Sequence, residues 1–148
     1  MSVSCRQSAL RLLKIRPRSI GELKEKLERK GFDAAEISQT LQWFEEIKLL
    51  DDRVFTKSWI QYRLARPFGF RRIIMELKTK GIDSEIIEEE IGLIKSQRDE
   101  WPTALELAKR RWQKFASVEP VKRKKRIFDF LSRRGFAPDV IFKVMKKL

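Results

Sequence analysis

One six-residue pattern occurs three times in the 148-residue chain: Leu27-Glu28-Arg29-Lys30-Gly31-Phe32, Leu77-Lys78-Thr79-Lys80-Gly81-Ile82 and Leu131-Ser132-Arg133-Arg134-Gly135-Phe136. Each reads Leu, two variable positions, a basic residue, Gly and an apolar residue. The glycines are 50 and then 54 residues apart. The register also holds beyond them, at Ile37, Leu41, Phe44; at Ile87, Ile91, Ile94; and at Ile141, Met145, Leu148. Upstream, Arg16-Pro17 and Arg66-Pro67 keep the 50-residue spacing, as do Ile20 with Phe70 and Leu23 with Ile73. A period of this length, shared by turn and apolar positions, means one supersecondary unit used three times. The units are residues 1–50, 51–97 and 98–148. No linker or low-complexity tract separates them, so their ends are expected to pack on one another.

Each unit reads as three helices, and nothing alternates with period two, so the chain is all-α. In unit 1 the stripe Ala9, Leu10, Leu13 stops near Arg16-Pro17, because the residue before a proline is pushed out of helical space. A second helix starts at Ser19, with Glu22 placed for a capping box. It ends at Gly31. A left-handed Gly there sets Leu27 and Phe32 at the two positions that touch in a Schellman motif, and the other two units repeat the pairing. Asp33 with Glu36 predicts a capping box on the third helix, and Pro138 stands at the first position of its counterpart in unit 3. The boundary between units 1 and 2 is Leu49-Leu50-Asp51-Asp52, followed by Val54, Phe55, Trp59 and Ile60 at helical spacing, and Trp101-Pro102 plays the same opening role for unit 3.

Catalytic chemistry finds few candidates. There is no histidine, so histidine bases and metal ligands are absent. The single cysteine, Cys5, excludes an internal disulfide and a multi-cysteine zinc site, and is read as a free thiol, at the surface or partly buried. Asp51-Asp52, the one pair that invites a metal or general-acid reading, has a simpler task in capping the helix it begins. The six glycines stand singly, so there is no phosphate-cradling loop. No enzyme activity, metal or cofactor is expected. Without a membrane-length apolar run or a secretory h-region at the start, the expected compartment is the cytoplasm.

The charge is more telling. The net +13 makes a polyanion the default partner. Residues 1–50 carry 10 basic and 7 acidic side chains, residues 51–94 carry 8 and 8, and residues 95–148 carry 16 and 6. The excess therefore sits in unit 3, in Lys109, Arg110, Arg111 and Lys114, then Lys122, Arg123, Lys124, Lys125 and Arg126, then Arg133 and Arg134. Five consecutive cations wrap more than one helical turn, so at least one must bend its stem past the core, and alignment with Ile20 and Phe70 points to Lys124. A solvated charged face is the alternative reading of such a run. The third helix of unit 2 carries Glu85, Glu88, Glu89 and Glu90, which phosphates would repel. That weakens a second function class, a helix-turn-helix transcription regulator reading the major groove. Tyr62 beside Arg63, and Trp112 after Arg110-Arg111, are the places where an aromatic ring can stack on a base, although core packing is favoured for both.

These residues resemble the bacterial RecX regulatory proteins. The matching stretches are Arg16-x-Arg18-Ser19-x-x-Glu22-Leu23-x-x-Lys26-Leu27-x-x-Lys30-Gly31-Phe32, Leu49-Leu50-Asp51-Asp52-x-x-Phe55, Gly69-x-x-x-Ile73-x-x-Glu76-Leu77-x-x-Lys80-Gly81-Ile82, and Phe130-Leu131-x-Arg133-Arg134-Gly135-Phe136 followed by Val140-Ile141. Lys48 stands where that family often has Gly. The resemblance implies three tandem three-helix repeats in an elongated, curved array without catalytic activity. It also implies a monomer that binds the RecA recombinase and its filament on DNA, with non-specific affinity for single- and double-stranded DNA and none for membranes. Such a protein lies in the filament groove, limits extension or promotes disassembly, and so inhibits strand exchange, ATP hydrolysis and co-protease function. The candidates for contact with the filament and its DNA are read from charge alone. They are the unit 3 cations named above, together with Arg16, Arg18, Arg63, Arg66, Arg71 and Arg72.

Overall fold

The computed structural model describes residues 3–148, and among them lie nine α-helices and no strand. They are α1 (Cys5–Ile15), α2 (Ile20–Arg29), α3 (Ala34–Glu46), α4 (Asp52–Leu64), α5 (Phe70–Thr79), α6 (Ser84–Gln97), α7 (Trp101–Lys114), α8 (Pro120–Arg133) and α9 (Pro138–Met145). They fall into three successive triplets. The middle helix of each triplet carries two apolar residues, four apart and fully buried: Leu23 and Leu27, Ile73 and Leu77, Ile127 and Leu131. In the first triplet Leu23 and Leu27 join Ala9, Ile37, Leu41 and Phe44. In the last, Ile127 and Leu131 join Ala104, Ala108, Ile141 and Val144. Here the register departs from the sequence alignment. The helix α9 stops at Met145, so Val144 takes the buried place while Met145 and Leu148 lie half-buried at the edge. Cys5 is a free thiol buried in the first core, deeper than the surface or partly buried position expected of it.

The three glycine turns are Schellman motifs, as their spacing predicts. Gly31, Gly81 and Gly135 have φ of 90°, 78° and 90°. The N–H groups of Phe32, Ile82 and Phe136 donate to the carbonyls of Leu27, Leu77 and Leu131 at 3.4, 3.1 and 3.2 Å. Ser19 and Glu22 form the full capping box, while Asp33 supplies its side-chain half, accepting from Glu36 N at 2.8 Å. A further box, Ser4 with Gln7, opens α1.

A fourth Schellman turn ends α3, with Lys48 N donating to Glu45 O at 3.0 Å and Leu49 N to Phe44 O at 2.8 Å. Its left-handed residue is Lys48, at φ 61°, the one non-glycine with positive φ among the described residues. A side chain in this region costs about 1–2 kcal/mol, and the extra freedom of an unfolded glycine takes back part of that. Lys48→Gly is therefore expected to raise stability by about 0.5–1 kcal/mol, read as a higher urea midpoint at unchanged m-value.

The chain forms two compact units, residues 1–58 with 77–88, and residues 59–76 with 89–148. Each contains the same device. In the first unit, Ser19 Oγ donates to Lys80 O at 2.6 Å, and Asp52 Oδ1 accepts from Ile20 N at 2.9 Å. In the second, Gly69 N donates to Arg134 O at 2.8 Å, and Glu100 Oε1 accepts from Phe70 N at 2.5 Å. The start of a middle helix thus rests on the glycine turn of the next triplet and is capped by that triplet's opening carboxylate. Asp51-Asp52 divides its work accordingly. Asp51 caps α4 through Arg53 N and Val54 N, whereas Asp52 leaves its own helix for α2, against the expectation that both cap α4. Asp99 and Glu100 repeat the division, with Asp99 Oδ1 accepting from Trp101 N at 3.0 Å.

Burial raises the pKa of both Asp52 and Glu100, outweighing the backbone N–H groups that stabilise their anions. A carboxylate whose pKa is higher in the folded state holds more protons there than in the unfolded chain. Its contribution to stability is complete below the unfolded pKa and is lost as pH rises through the folded one. Glu100→Gln keeps an acceptor for Phe70 N and is expected to remove this decline, seen as a flatter series of urea midpoints from pH about 4 to 7. Glu100→Ala leaves Phe70 N without its acceptor and is expected to cost about 1–2 kcal/mol.

Candidate nucleic-acid interface

Within the second unit, aromatic residues gather the arginines. The segment joining α4 to α5 carries Phe68, and three guanidinium groups surround its ring: Arg72 at 4.4 Å, Arg63 at 4.8 Å and Arg134 at 5.0 Å from the centroid. Arg66 lies 5.0 Å from the ring of Tyr62, which is 48% exposed. Arg111 and Arg134 share Phe130, at 4.1 and 5.3 Å. One carboxylate enters this group, Glu76, which accepts from Arg63 Nε at 2.7 Å and lies 3.6 Å from Arg72 Nε. Burial first, then repulsion from Arg111 and Arg72, pulls the Arg134 pKa below the usual guanidinium value. A ring face attracts a cation and strips water from it, yet leaves the N–H edge of the guanidinium free for a planar anion. Next to this group Arg71, Arg72 and Arg133 line a groove of about 380 Å³ beside Met75, which is 69% exposed, and Pro138. Arg72 Nη1 donates to Arg133 O at 3.3 Å, tying two of its walls together.

The run on α8 separates by direction. Lys122, Lys124, Lys125 and Arg126 are exposed, and Arg126 lies 5.2 Å from the Phe115 ring. The side chain that bends inward is Arg123, one position before the Lys124 that alignment indicates. Its guanidinium lies 3.7 Å from the Trp112 ring, Nε donates to Trp112 O at 2.8 Å, and Nη2 donates to the same carbonyl. That carbonyl lies in the last turn of α7, where an unpaired acceptor and the negative end of the helix both favour a cation. Arginine serves better than lysine there, because a planar group can stack and donate at once. Lys109 and Lys114 are exposed on α7, and Arg110 pairs with Glu106 at 2.7 Å.

The cations of unit 1 lie apart from these in the sequence and belong to the first compact unit. Arg16 pairs with Glu22 at 2.5 Å. Burial alone would raise the Glu22 pKa, but the Arg16 hydrogen bond, the Ser19 N–H and Lys80 outweigh it and hold the carboxyl low. Arg18 is 8% exposed and donates from Nε to Leu12 O at 3.2 Å, so it lies off the outer surface and lines a groove of the first compact unit instead. On the acidic helix α6, Glu85, Glu88 and Glu89 are exposed, while Glu90 is buried. The sequence reading missed Phe68 as the shared ring. Its signal is the run Arg66-Pro67-Phe68 ahead of Arg71-Arg72. Among the described residues there is no cluster of three or more metal-ligating side chains, and no helix is long and apolar enough to cross a membrane.

Three family domains match the chain in order: "RecX, first three-helix domain" over residues 5–44, "RecX, second three-helix domain" over 51–90, and "RecX, third three-helix domain" over 98–145. A "Regulatory protein RecX" of Legionella pneumophila (strain Corby) is 34% identical over 95% of this chain and 92% of its own length. One from Streptomyces coelicolor is 27% identical over 96% of this chain and 76% of its own length. A crystal structure of RecX from Lactobacillus salivarius superposes with a TM-score of 0.83 at 21% identity, covering 97% of this chain and 94% of that one.

Proposed function

The chain belongs to the RecX family of regulatory proteins, and from that membership we propose that it is a negative regulator of the RecA recombinase, acting on the filament that RecA forms on single-stranded DNA. The observation that carries this reading is the match of all three repeats, in order and over almost the whole length of a relative. Binding in the filament groove limits extension or promotes disassembly, and strand exchange, ATP hydrolysis and co-protease activity fall together. The repeats 1–50, 51–97 and 98–148 then divide the binding surface. The third, net +10 over residues 95–148, meets the DNA-rich surface, and the charge-balanced second meets protein.

Binding to DNA is proposed for the exposed cations of α7 and α8 and for the Arg71, Arg72, Arg133 groove, which suit phosphates. The third helix of the third repeat offers one lysine, Lys143, and no Asn, Gln or Arg with which to read base edges, so the binding is independent of sequence. Purified protein is expected to lower RecA-catalysed ATP hydrolysis and strand exchange on single-stranded DNA. Unchanged rates at equimolar and higher ratios would overturn the reading. Random duplexes should bind alike, whereas one operator preferred by a factor of about 10³ or more would favour a transcription regulator.

A further inference from the structure

The first unit has a groove that the basic surface does not use. It lies between α1 and the turn from α3 into α4, holds about 630 Å³, and is walled by Leu10, Leu13, Leu49, Val54 and Phe55. Two of these wall residues face solvent, Leu49 at 50% and Val54 at 60% exposure. A groove of this size and apolar lining is of the kind that takes a ligand or a helix edge.

Its charge selects the occupant. Lys14, Arg18 and Lys48 line it against one carboxylate, Asp51, whose Oδ1 already accepts from Arg53 N and Val54 N. Arg18 is more than nine-tenths buried, and its Nε donates to a neutral carbonyl, that of Leu12. Burial, then Arg16, lowers its pKa, and Glu22 is the carboxylate that acts in the opposite sense. Glu22 is taken, by Arg16 at 2.5 Å and Lys80 at 3.5 Å. A guanidinium largely withdrawn from water without a carboxylate of its own is incompletely compensated, and a carboxylate brought to it gains a bidentate, weakly screened pair. Lys48 adds a separate sign. It holds a left-handed conformation that glycine would adopt without strain, and it sets a cation on the groove wall. Local strain of this kind points toward function.

We infer that this groove docks an acidic amphipathic segment of a partner protein, with one or two aliphatic side chains between Leu13, Leu49 and Val54 and a carboxylate on Arg18, flanked by Lys14 and Lys48. The site goes beyond the regulatory reading above and is tested without RecA or DNA, so either can fail alone.

The probe is a random dodecapeptide library displayed on phage and selected on the full chain, followed by synthesis of the enriched sequence. Enrichment of sequences that combine aliphatic residues with Asp or Glu is expected, with the amides of Lys14, Leu49 and Val54 shifting in ¹H–¹⁵N spectra on titration. Arg18→Gln should weaken the synthetic peptide roughly tenfold to a hundredfold, as loss of a charged hydrogen-bond partner does. Leu49→Glu places a carboxylate on the rim and should weaken it at least as much. Lys48→Gly should weaken it while making the chain more stable, a combination that general damage to the fold does not produce. If Arg18→Gln loses its helical circular dichroism, the two exposed positions decide. No enrichment, enrichment of neutral or basic sequences, or equal affinity for wild type, Leu49→Glu and Lys48→Gly would overturn the inference.

Discussion

Gly135→Ala is expected to cost about 3–5 kcal/mol, while Gly31→Ala, at the same position of the same motif with the same φ of 90°, should cost about 1–2 kcal/mol. The left-handed backbone penalises both substitutions equally. The difference is what a Cβ would meet. At Gly31 nothing lies within 4 Å, whereas at Gly135 the new carbon would sit 2.3 Å from Arg72 Cβ, 2.5 Å from Arg72 N and 2.9 Å from Arg72 Cα. Two of those atoms are backbone in the first turn of α5, so the clash is relieved only by moving the helix. Gly69 is the other half of the approach, since its Cβ would come 2.3 Å from the carbonyl carbon and oxygen of Gly135. Gly69→Ala should therefore resemble Gly135→Ala although it needs no positive φ. Urea midpoints of the three variants decide, and equal losses at Gly31 and Gly135 would show that the turn is not held against α5.

That contrast marks how far the sequence could be read. The Schellman turns, the Ser19 box and the buried pairs four residues apart were legible because each is set by residues within a few positions of one another. The length of a helix and the conformation of its last residues are local matters, and the repeated pattern states them three times. Asp52 and Glu100 were not legible as caps of α2 and α5, because their partners Ile20 and Phe70 lie 32 and 30 residues away. Locally, an acidic residue at the start of a helix has a sufficient explanation in that helix. The signal was present in the spacing, since Asp51-Asp52 and Asp99-Glu100 both stand at the start of an opening helix, but only the fold shows that the second carboxylate of each pair is spare. The approach of Gly69 to Gly135 was hidden in the same way.

The candidate interface was legible in composition and not in arrangement. Charge counting found the basic third repeat, yet it treated the cations as one class. In the structure they divide according to their neighbours. Phe68 draws Arg63, Arg72 and Arg134 onto one ring, and Glu76 binds two of them, so this group is held in place before any ligand arrives. Arg18 leaves the class altogether by being buried. A guanidinium held by a ring and a carboxylate loses less freedom on meeting a phosphate than a lysine on an exposed helix, so the arginine group is suited to position the nucleic acid and the lysines to attract it.

The α8 run offers the clearest separation of those roles. Replacing Lys122, Lys124, Lys125 and Arg126 together by Gln is expected to leave the helices intact, because all four side chains are exposed. It should also flatten the salt dependence of DNA binding. Each phosphate that is no longer neutralised lowers the slope of log K against log salt by about 0.9 on duplex and about 0.7 on single strands, so four of them would remove about 3–4 from the duplex slope. Arg123→Gln should behave in the opposite way. It removes the stacking on Trp112 and both bonds to the Trp112 carbonyl, an expected loss of about 2 kcal/mol in stability, with little change in the slope. Five adjacent cations would then serve two purposes according to helical direction, one closing the end of α7 and four meeting the polyanion. An unchanged slope in the fourfold variant would mean that those side chains only solvate the helix. DNA binding would then fall to the arginines around Phe68 and the groove beside them, where Arg71→Gln and Arg133→Gln become the substitutions that lower the slope, by about 0.9 each.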